Sequence, residues 1–288
     1  MIHILEHTLI EAIKLLPFLF TTYLIMEILE HKTGEKTKNI IKKSGKFGPL
    51  LGAILGIFPQ CGFSAAASGL YAGRIITLGT LIAIFLSTSD EMLPILISEN
   101  APIELIIKIL LIKVIIGIIS GFVIDLVIHF YKKKTKKEED TIIEKQIGHI
   151  CEHEQCHCEE GGILKSSIKH TLNIFLFILL ITLVLNTIIE FVGEESISNL
   201  ILNMPIVGPL ISGIVGLIPN CAGSVIITQL YLSNVISFGS MIGGLLVGSG
   251  IGILVLFRMN KNIKENIKIL GLLYTIGLAC GIIIDLII

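Results

Sequence analysis

Two stretches of this sequence decide its fold: Gly56-Ile57-Phe58-Pro59-Gln60-Cys61-Gly62-Phe63-Ser64 and Gly216-Leu217-Ile218-Pro219-Asn220-Cys221-Ala222-Gly223-Ser224. Each interrupts an apolar run, 48–73 or 208–233, with a proline and an amide residue. The pieces on either side are about 11 or 12 residues long, or about 17 Å of helix, which is too short to cross a bilayer. The pattern predicts two half-helices in a re-entrant hairpin, and the alternative is one proline-kinked helix.

The composition places these runs in a membrane. Hydrophobic residues make up 53% of the 288 residues, charged residues only 16%, and the mean hydropathy is +0.87. A soluble domain of this size does not need so much apolar surface, so that class is excluded. Runs long enough to span a bilayer are Ala12 to Leu29, Ile75 to Ile97, Ile103 to Tyr131, Ile168 to Val192, Val235 to Phe257 and Ile267 to Ile288.

The chain contains an internal repeat. At an offset of 160, the stretch Gly48 to Asp90 aligns without a gap with Gly208 to Gly250, and 15 of 43 positions are identical. The same offset pairs Asp125 with Asp285. We therefore predict membrane repeat 1 over 1–131, a Cys/His-rich loop over 132–166 and membrane repeat 2 over 167–288. Repeats of this kind are typical of secondary transporters.

The distribution of basic residues predicts that the repeats are inverted. Six lysines lie between Lys32 and Lys46, whereas the equivalent loop, Gly193-Glu194-Glu195-Ser196, contains no basic residue. Basic loops stay in the cytoplasm, so equivalent loops face opposite sides. The prediction is an all-α polytopic membrane protein of about ten membrane segments, located in the cell membrane. Its central loop is cytoplasmic and both termini lie outside.

The broken tips are the first candidate binding site. Unwound backbone inside a membrane is tolerated only where protein or a water-filled cavity satisfies it, and helix ends that point into a cavity bind ions. The alternative is a packing kink in which cysteine acts as a small hydrophobic residue. Tip side chains that could bind a substrate are Gln60, Cys61, Ser64, Asn220, Cys221 and Ser224.

The two repeats differ most at Ser87-Thr88-Ser89-Asp90-Glu91, which lies inside the predicted span Ile75 to Ile97. The equivalent stretch, Val247-Gly248-Ser249-Gly250-Ile251, has no charge. A carboxylate at the centre of a bilayer costs about 2.5 to 3.5 kcal/mol, so Asp90 and Glu91 must face a polar interior. Alternatively, Glu91 reaches the outer surface, or Asp90 is a structural partner of the opposite tip. Ser87, Ser89, Asp90 and Glu91 complete the candidate substrate site.

Weaker signals come from other polar residues in or near the spans. Asp125 and Asp285 lie within a few turns of a predicted membrane surface, which favours an interfacial position for both. Cys280, between two glycines, is typical of helix packing.

The central loop contains a second, separate metal-ligand pattern. Its members are His149, Cys151, His153, Cys156, His157 and Cys158. Thiolates and imidazoles suit zinc, copper(I) or a similar ion, and the reducing cytosol favours metal binding over disulfides. The pattern predicts a flexible acceptor or sensor, and the alternative is an incidental or structural loop.

The tip motif Gly56 to Ser64, the segment Ser87 to Glu91 and Pro219-Asn220-Cys221 together resemble the ten-span heavy-metal exporter family. Members of that family are commonly labelled arsenic efflux proteins or manganese transporters. The resemblance implies export of a metal or metalloid ion. Arsenite would favour Cys61 and Cys221, whereas manganese would favour oxygen ligands.

The sequence therefore predicts an exporter that works by alternating access. No nucleotide-binding motif is present, so an ion gradient, with protons as one candidate coupling ion, would drive transport. Arsenite permease and passive channel remain alternatives. An enzyme is disfavoured because no base and nucleophile are paired. No cofactor and no nucleic-acid partner are indicated, and the oligomeric state stays open.

Overall fold

The structure is a computed structural model. It describes residues 47–58, 61–89, 92–133 and 207–287, together with separate helical positions between 13 and 24 and between 164 and 187. Within those residues the regular elements are all α-helices and none is a strand. The prediction of an all-helical membrane protein is therefore confirmed.

The first half contains five consecutive helices. They are α1 (Phe47–Gly56), α2 (Cys61–Ala72), α3 (Leu78–Ser87), α4 (Met92–Ser98) and α5 (Ile103–Lys133). The second half repeats this order as α6 (Val207–Gly216), α7 (Cys221–Leu232), α8 (Phe238–Val247), α9 (Gly252–Met259) and α10 (Ile263–Ile287). The tips are broken where the sequence predicts, because α6 and α7 are separated by residues 217–220, which are not helical.

Two predicted spans contain an interruption that the sequence analysis did not predict. The spans Ile75 to Ile97 and Val235 to Phe257 correspond to 78–98 and 238–259, which are long and apolar enough to cross a membrane, but α3 ends at Ser87 and α8 ends at Val247. In the first half, Thr88 has a φ of −54° and a ψ of 128°, which lies outside the helical region, so the helix stops there. In the second half, Gly250 adopts a φ of 53°, a left-handed conformation that glycine accepts without strain. The apolar stretches on either side concealed both interruptions, here called the first break (88–89) and the second break (248–251).

The helices form an inner pair and an outer pair. Almost every residue of α3 and α8 is buried, and these two helices pack against each other at the centre. The long helices α5 and α10 pack outside them, against α3 and α8 respectively. Only 17% of the 18-residue apolar stretch in α5 is buried, whereas 89% of the corresponding stretch in 238–259 is buried. Large aliphatic side chains more than half exposed recur every fourth residue on α5, at Ile107, Leu111, Ile115 and Ile119. That stripe is the surface that a helix presents to lipid.

The helix that follows each break packs against the other half of the molecule. Helix α9 packs against α2 of the first half, and α4 packs against α7 of the second half. Each tip helix is therefore covered by a helix from the other half. This packing brings both tips and both breaks towards one central region.

Local details also recur at the offset of 160. Asp125 accepts hydrogen bonds from the Thr77 hydroxyl at 2.7 Å and the Gly79 amide at 2.9 Å, and so caps the start of α3. Asp285 does the same for α8, through Ser237 at 2.6 Å and Gly239 at 2.7 Å. The sequence placed both carboxylates at the membrane interface, and the structure adds a helix-capping role that length and hydropathy did not reveal. The opposite orientation of the halves in the membrane stays a prediction.

Candidate functional site

The second break contains a buried hydroxyl that forms no hydrogen bond. Ser249 is 1% exposed, and its Oγ has no hydrogen-bond partner among the residues that the structure describes. Its equivalent in the first half, Ser89, donates to the Ile57 carbonyl at 2.5 Å. Leaving a buried polar group unsatisfied costs about 1 to 3 kcal/mol. The Ser249 hydroxyl is therefore available to bond to a ligand, and leaving it unbonded lowers the stability of the fold by this free energy.

Tip residues from both halves surround this break. A Cβ placed on Gly252 would lie 2.8 Å from the Cβ of Ser64, and the Ser68 hydroxyl donates to the Gly252 carbonyl at 2.6 Å. A Cβ placed on Gly248 would lie 3.4 Å from Oγ of Ser224. At Gly252 only glycine allows such close approach of the backbone, whereas the distance at Gly248 is an ordinary van der Waals contact. The predicted site residue Ser224 therefore lies close to Gly248 at the start of the second break, and Ser64 lies close to Gly252 directly after it, although the two serines are far apart in the sequence.

Two other predicted site residues, Asn220 and Ser87, are buried at different places in the structure. Asn220 is 3% exposed at the end of the second tip, so its amide is buried there. Ser87 is fully buried but donates to the Ile84 carbonyl at 3.1 Å, a bond that ties it to its own helix. A role for Ser87 in binding gains no support from this contact.

Several predicted site residues lie outside the described part of the chain. Gln60, Asp90 and Glu91 are among them, as is the whole Cys/His cluster of the central loop, His149 to Cys158. Cys61 and Cys221 begin α2 and α7, but only their backbone is described. Their roles stay predictions from the sequence. Among the described residues, no group of three or more His, Cys, Asp or Glu side chains could hold a metal ion.

Sequence analysis missed one charged residue in the interior. Lys113 is 1% exposed and lies well inside α5. Its ammonium donates to the Thr88 carbonyl at the first break, and at 2.8 Å to the Leu245 carbonyl of α8. The equivalent residue of the second half is Leu273, which is fully buried. A charge inside an apolar span is a functional signal, so the rule that singled out Asp90 could also have found Lys113.

A second group joins the halves at one end of the molecule. Arg74, in the turn after α2, forms two hydrogen bonds to the Glu265 carboxylate, at 2.8 and 2.9 Å. The Tyr71 hydroxyl also donates to Glu265. Hydrogen bonding to that carboxylate raises the pKa of Arg74 and keeps it charged. The contact places Arg74 beside the start of α10, the end that the charge-based topology assigns to the cytoplasm.

At the opposite end of the molecule, a cation–π contact joins the two halves. The Lys108 ammonium of α5 lies 4.7 Å from the ring centroid of Phe238, the first residue of α8. The predicted topology places the starts of both α5 and α8 on the outer side. Both contacts are therefore between segments that the charge distribution assigns to the same side.

These features define a class: a polytopic helical membrane protein with a polar, interrupted centre. A family model described as "Putative, 10TM heavy-metal exporter" matches residues 13–194 and 163–288, two overlapping ranges that together cover most of the chain. The chain belongs to this family of ten-span heavy-metal exporters. No curated protein and no solved structure matches it.

Proposed function

We propose that this protein exports a divalent metal cation, manganese or a similar ion, by alternating access. The observation that supports the proposal is the buried Ser249 hydroxyl, which has no hydrogen-bond partner among the described residues, in a break where Ser224 lies close to Gly248 and Ser64 lies close to the following Gly252. An unsatisfied hydroxyl at a helix break costs free energy that a bound ligand would recover.

The chemistry of the nearby donors favours a hard or borderline cation. Hydroxyl and carbonyl oxygens line the second break, and the buried Asn220 adds an amide in the same tip as Ser224. Asp90 and Glu91 directly follow Ser89 in the sequence, so the chain can supply negative charge next to the first break. Carboxylate, carbonyl and hydroxyl ligands suit manganese, whereas arsenite needs thiolates, and Cys61 and Cys221 alone do not complete a three-sulfur site.

The transport cycle would use the two halves as inverted repeats with re-entrant tips. Opening one end would separate Arg74 from Glu265, and opening the other would separate Lys108 from Phe238. An ion gradient would drive the cycle, because a carboxylate that releases a proton when metal binds couples the two fluxes. The central Cys/His loop would capture or sense the ion in the cytosol.

The test is flux through the purified full chain in liposomes, measured for Mn²⁺, Zn²⁺ and arsenite. We expect saturable Mn²⁺ flux that depends on a proton gradient. Non-saturable flux without a counter-ion would instead identify a channel. Arsenite flux that Cys61→Ser and Cys221→Ser each abolish would identify an arsenite permease, since hydroxyls replace thiolates poorly for soft ions.

A further inference from the structure

Lys113 is an unusual charge for this fold. An ammonium taken out of water into the interior costs several kcal/mol unless its partners compensate. The equivalent helix α10 fills the same position with Leu273, which is fully buried, so the architecture itself does not require a charge there. Lys113 therefore has a role that only one of the two halves needs.

Two hydrogen bonds of Lys113 go to the ends of two different helices. Thr88 is the residue that caps the C-terminus of α3, directly after Ser87, and Leu245 lies in the last turn of α8. Carbonyls at the C-terminal end of a helix carry partial negative charge and lack partners within the helix. One carbonyl comes from each half, so the point where they converge attracts a cation, and in this structure the Lys113 ammonium occupies it.

This point lies between the two breaks. The Thr88 carbonyl immediately precedes Ser89 and Asp90 in the chain, and Ser249 follows Leu245 by one helical turn. Half-helix C-termini and unwound carbonyls coordinate cations in transporters. The ammonium therefore lies where the proposed function places the transported ion.

We propose that Lys113 is a tethered cation that fills the transport site when no metal is bound and is displaced by the metal. The proposal rests on the proposed function and adds the substrate class: only a positively charged species can replace the ammonium. A neutral metalloid acid cannot, because it would leave the partial negative charge of the two helix ends uncompensated. When no metal is bound, the ammonium compensates these helix ends, so that the protein can return without metal.

The test separates net export from exchange in liposomes that contain the full chain. Net export requires the empty transporter to return, whereas exchange of Mn²⁺ for Mn²⁺ does not. For Lys113→Met we expect net Mn²⁺ export to fall about tenfold or more, the equivalent of at least 1.4 kcal/mol, while exchange is retained. The KM for Mn²⁺ should fall, because the competing ammonium is gone. Lys113→Arg should retain more net export than Lys113→Met, and Leu273→Met is the matched control in the other half, expected to leave both fluxes unchanged.

A measurement on the wild type covers the case in which Lys113→Met does not fold. Lys113 is almost fully buried, so a small amine-reactive reagent should modify it slowly in the metal-free protein and faster with Mn²⁺. Equal modification with and without Mn²⁺ would overturn the proposal. So would a folded Lys113→Met protein in which net export and exchange are both unchanged or both lost. Absence of metal flux in the wild type would instead reject the proposed function.

Discussion

The first and second breaks occupy equivalent places in the two halves and differ in what they provide. Ser89 is hydrogen-bonded to Ile57, whereas Ser249 has no described partner. The first break continues into Asp90 and Glu91, the second into Gly250 and Ile251. The comparison teaches how a repeated scaffold can divide a binding site: in the proposed site one half would contribute charge, and the other would contribute a closely approaching backbone and a hydroxyl without a described partner.

The largest effect is expected at the charged break. Asp90→Asn keeps the size of the side chain and removes the charge that a divalent ion needs, so it should abolish metal export without lowering the amount of protein in the membrane. Metal resistance of a deletion strain that carries each variant checks this. Glu99→Gln, at an exposed carboxylate after α4, is the control and should retain resistance. Normal resistance in the Asp90→Asn strain would remove Asp90 from the site.

A pair of serine substitutions tests the difference between the breaks directly. Ser249→Ala removes a buried hydroxyl that has no partner among the described residues, so the free energy of unfolding should stay equal or rise by up to about 1 kcal/mol, while the KM for Mn²⁺ rises several-fold. Ser89→Ala removes a hydrogen-bonded hydroxyl and should lower that free energy by about 1 kcal/mol. Thermal unfolding and liposome flux check both variants. If Ser249→Ala is as destabilising as Ser89→Ala and leaves the KM unchanged, the hydroxyl is structural.

A smaller effect is expected from the central loop, which lies outside both breaks. Deleting residues 149–158 should raise the KM for the exported metal a few-fold, because a cytosolic acceptor is lost, and leave maximal flux largely intact. The check is flux against metal concentration in cells or vesicles with matched protein levels. Loss of maximal flux in a well-expressed deletion would move the transport site into the loop.

The smallest effect on activity is expected from cysteines that are introduced to determine on which side of the membrane each loop lies. A cysteine replacing Lys38 or Lys136 should be shielded from an impermeant thiol reagent added outside intact cells, whereas one replacing Ser196 should react, because basic loops stay in the cytoplasm. Unchanged metal resistance shows that each variant is folded. Labelling of the Lys38 and Ser196 positions from the same side would contradict the inverted arrangement on which the comparison of the breaks depends.

Much of the scaffold was predictable from the sequence, because its determinants are local. Proline and an amide in a short apolar run predicted the broken tips, and hydropathy predicted the lipid-facing helices. The second break was missed because its residues are small and apolar and do not lower hydropathy. The left-handed φ of 53° at Gly250 can be seen only in the backbone of the structure, not in the sequence.

The arrangement of the candidate site was less predictable, because it depends on contacts between the halves. Ser64 was singled out as a tip residue, but its position beside Gly252 follows from the packing of α9 on α2, which no sequence period encodes. Lys113 was overlooked inside a strongly apolar helix, although its charge was a signal, and its partners on α3 and α8 are distant in sequence. Gln60, Asp90 and Glu91 remain assignments from the sequence alone.

The most direct measurement is a structure of the full chain determined with Mn²⁺, using anomalous scattering to locate the metal. The account predicts one Mn²⁺ between the two breaks, with Ser249 Oγ and a carboxylate of Asp90 or Glu91 at about 2.0 to 2.6 Å, the range for hard cations and oxygen ligands. The Lys113 ammonium should have left the Thr88 and Leu245 carbonyls. A metal bound only by the Cys/His loop, with Lys113 still on both carbonyls and Ser249 still without a ligand, would contradict the account.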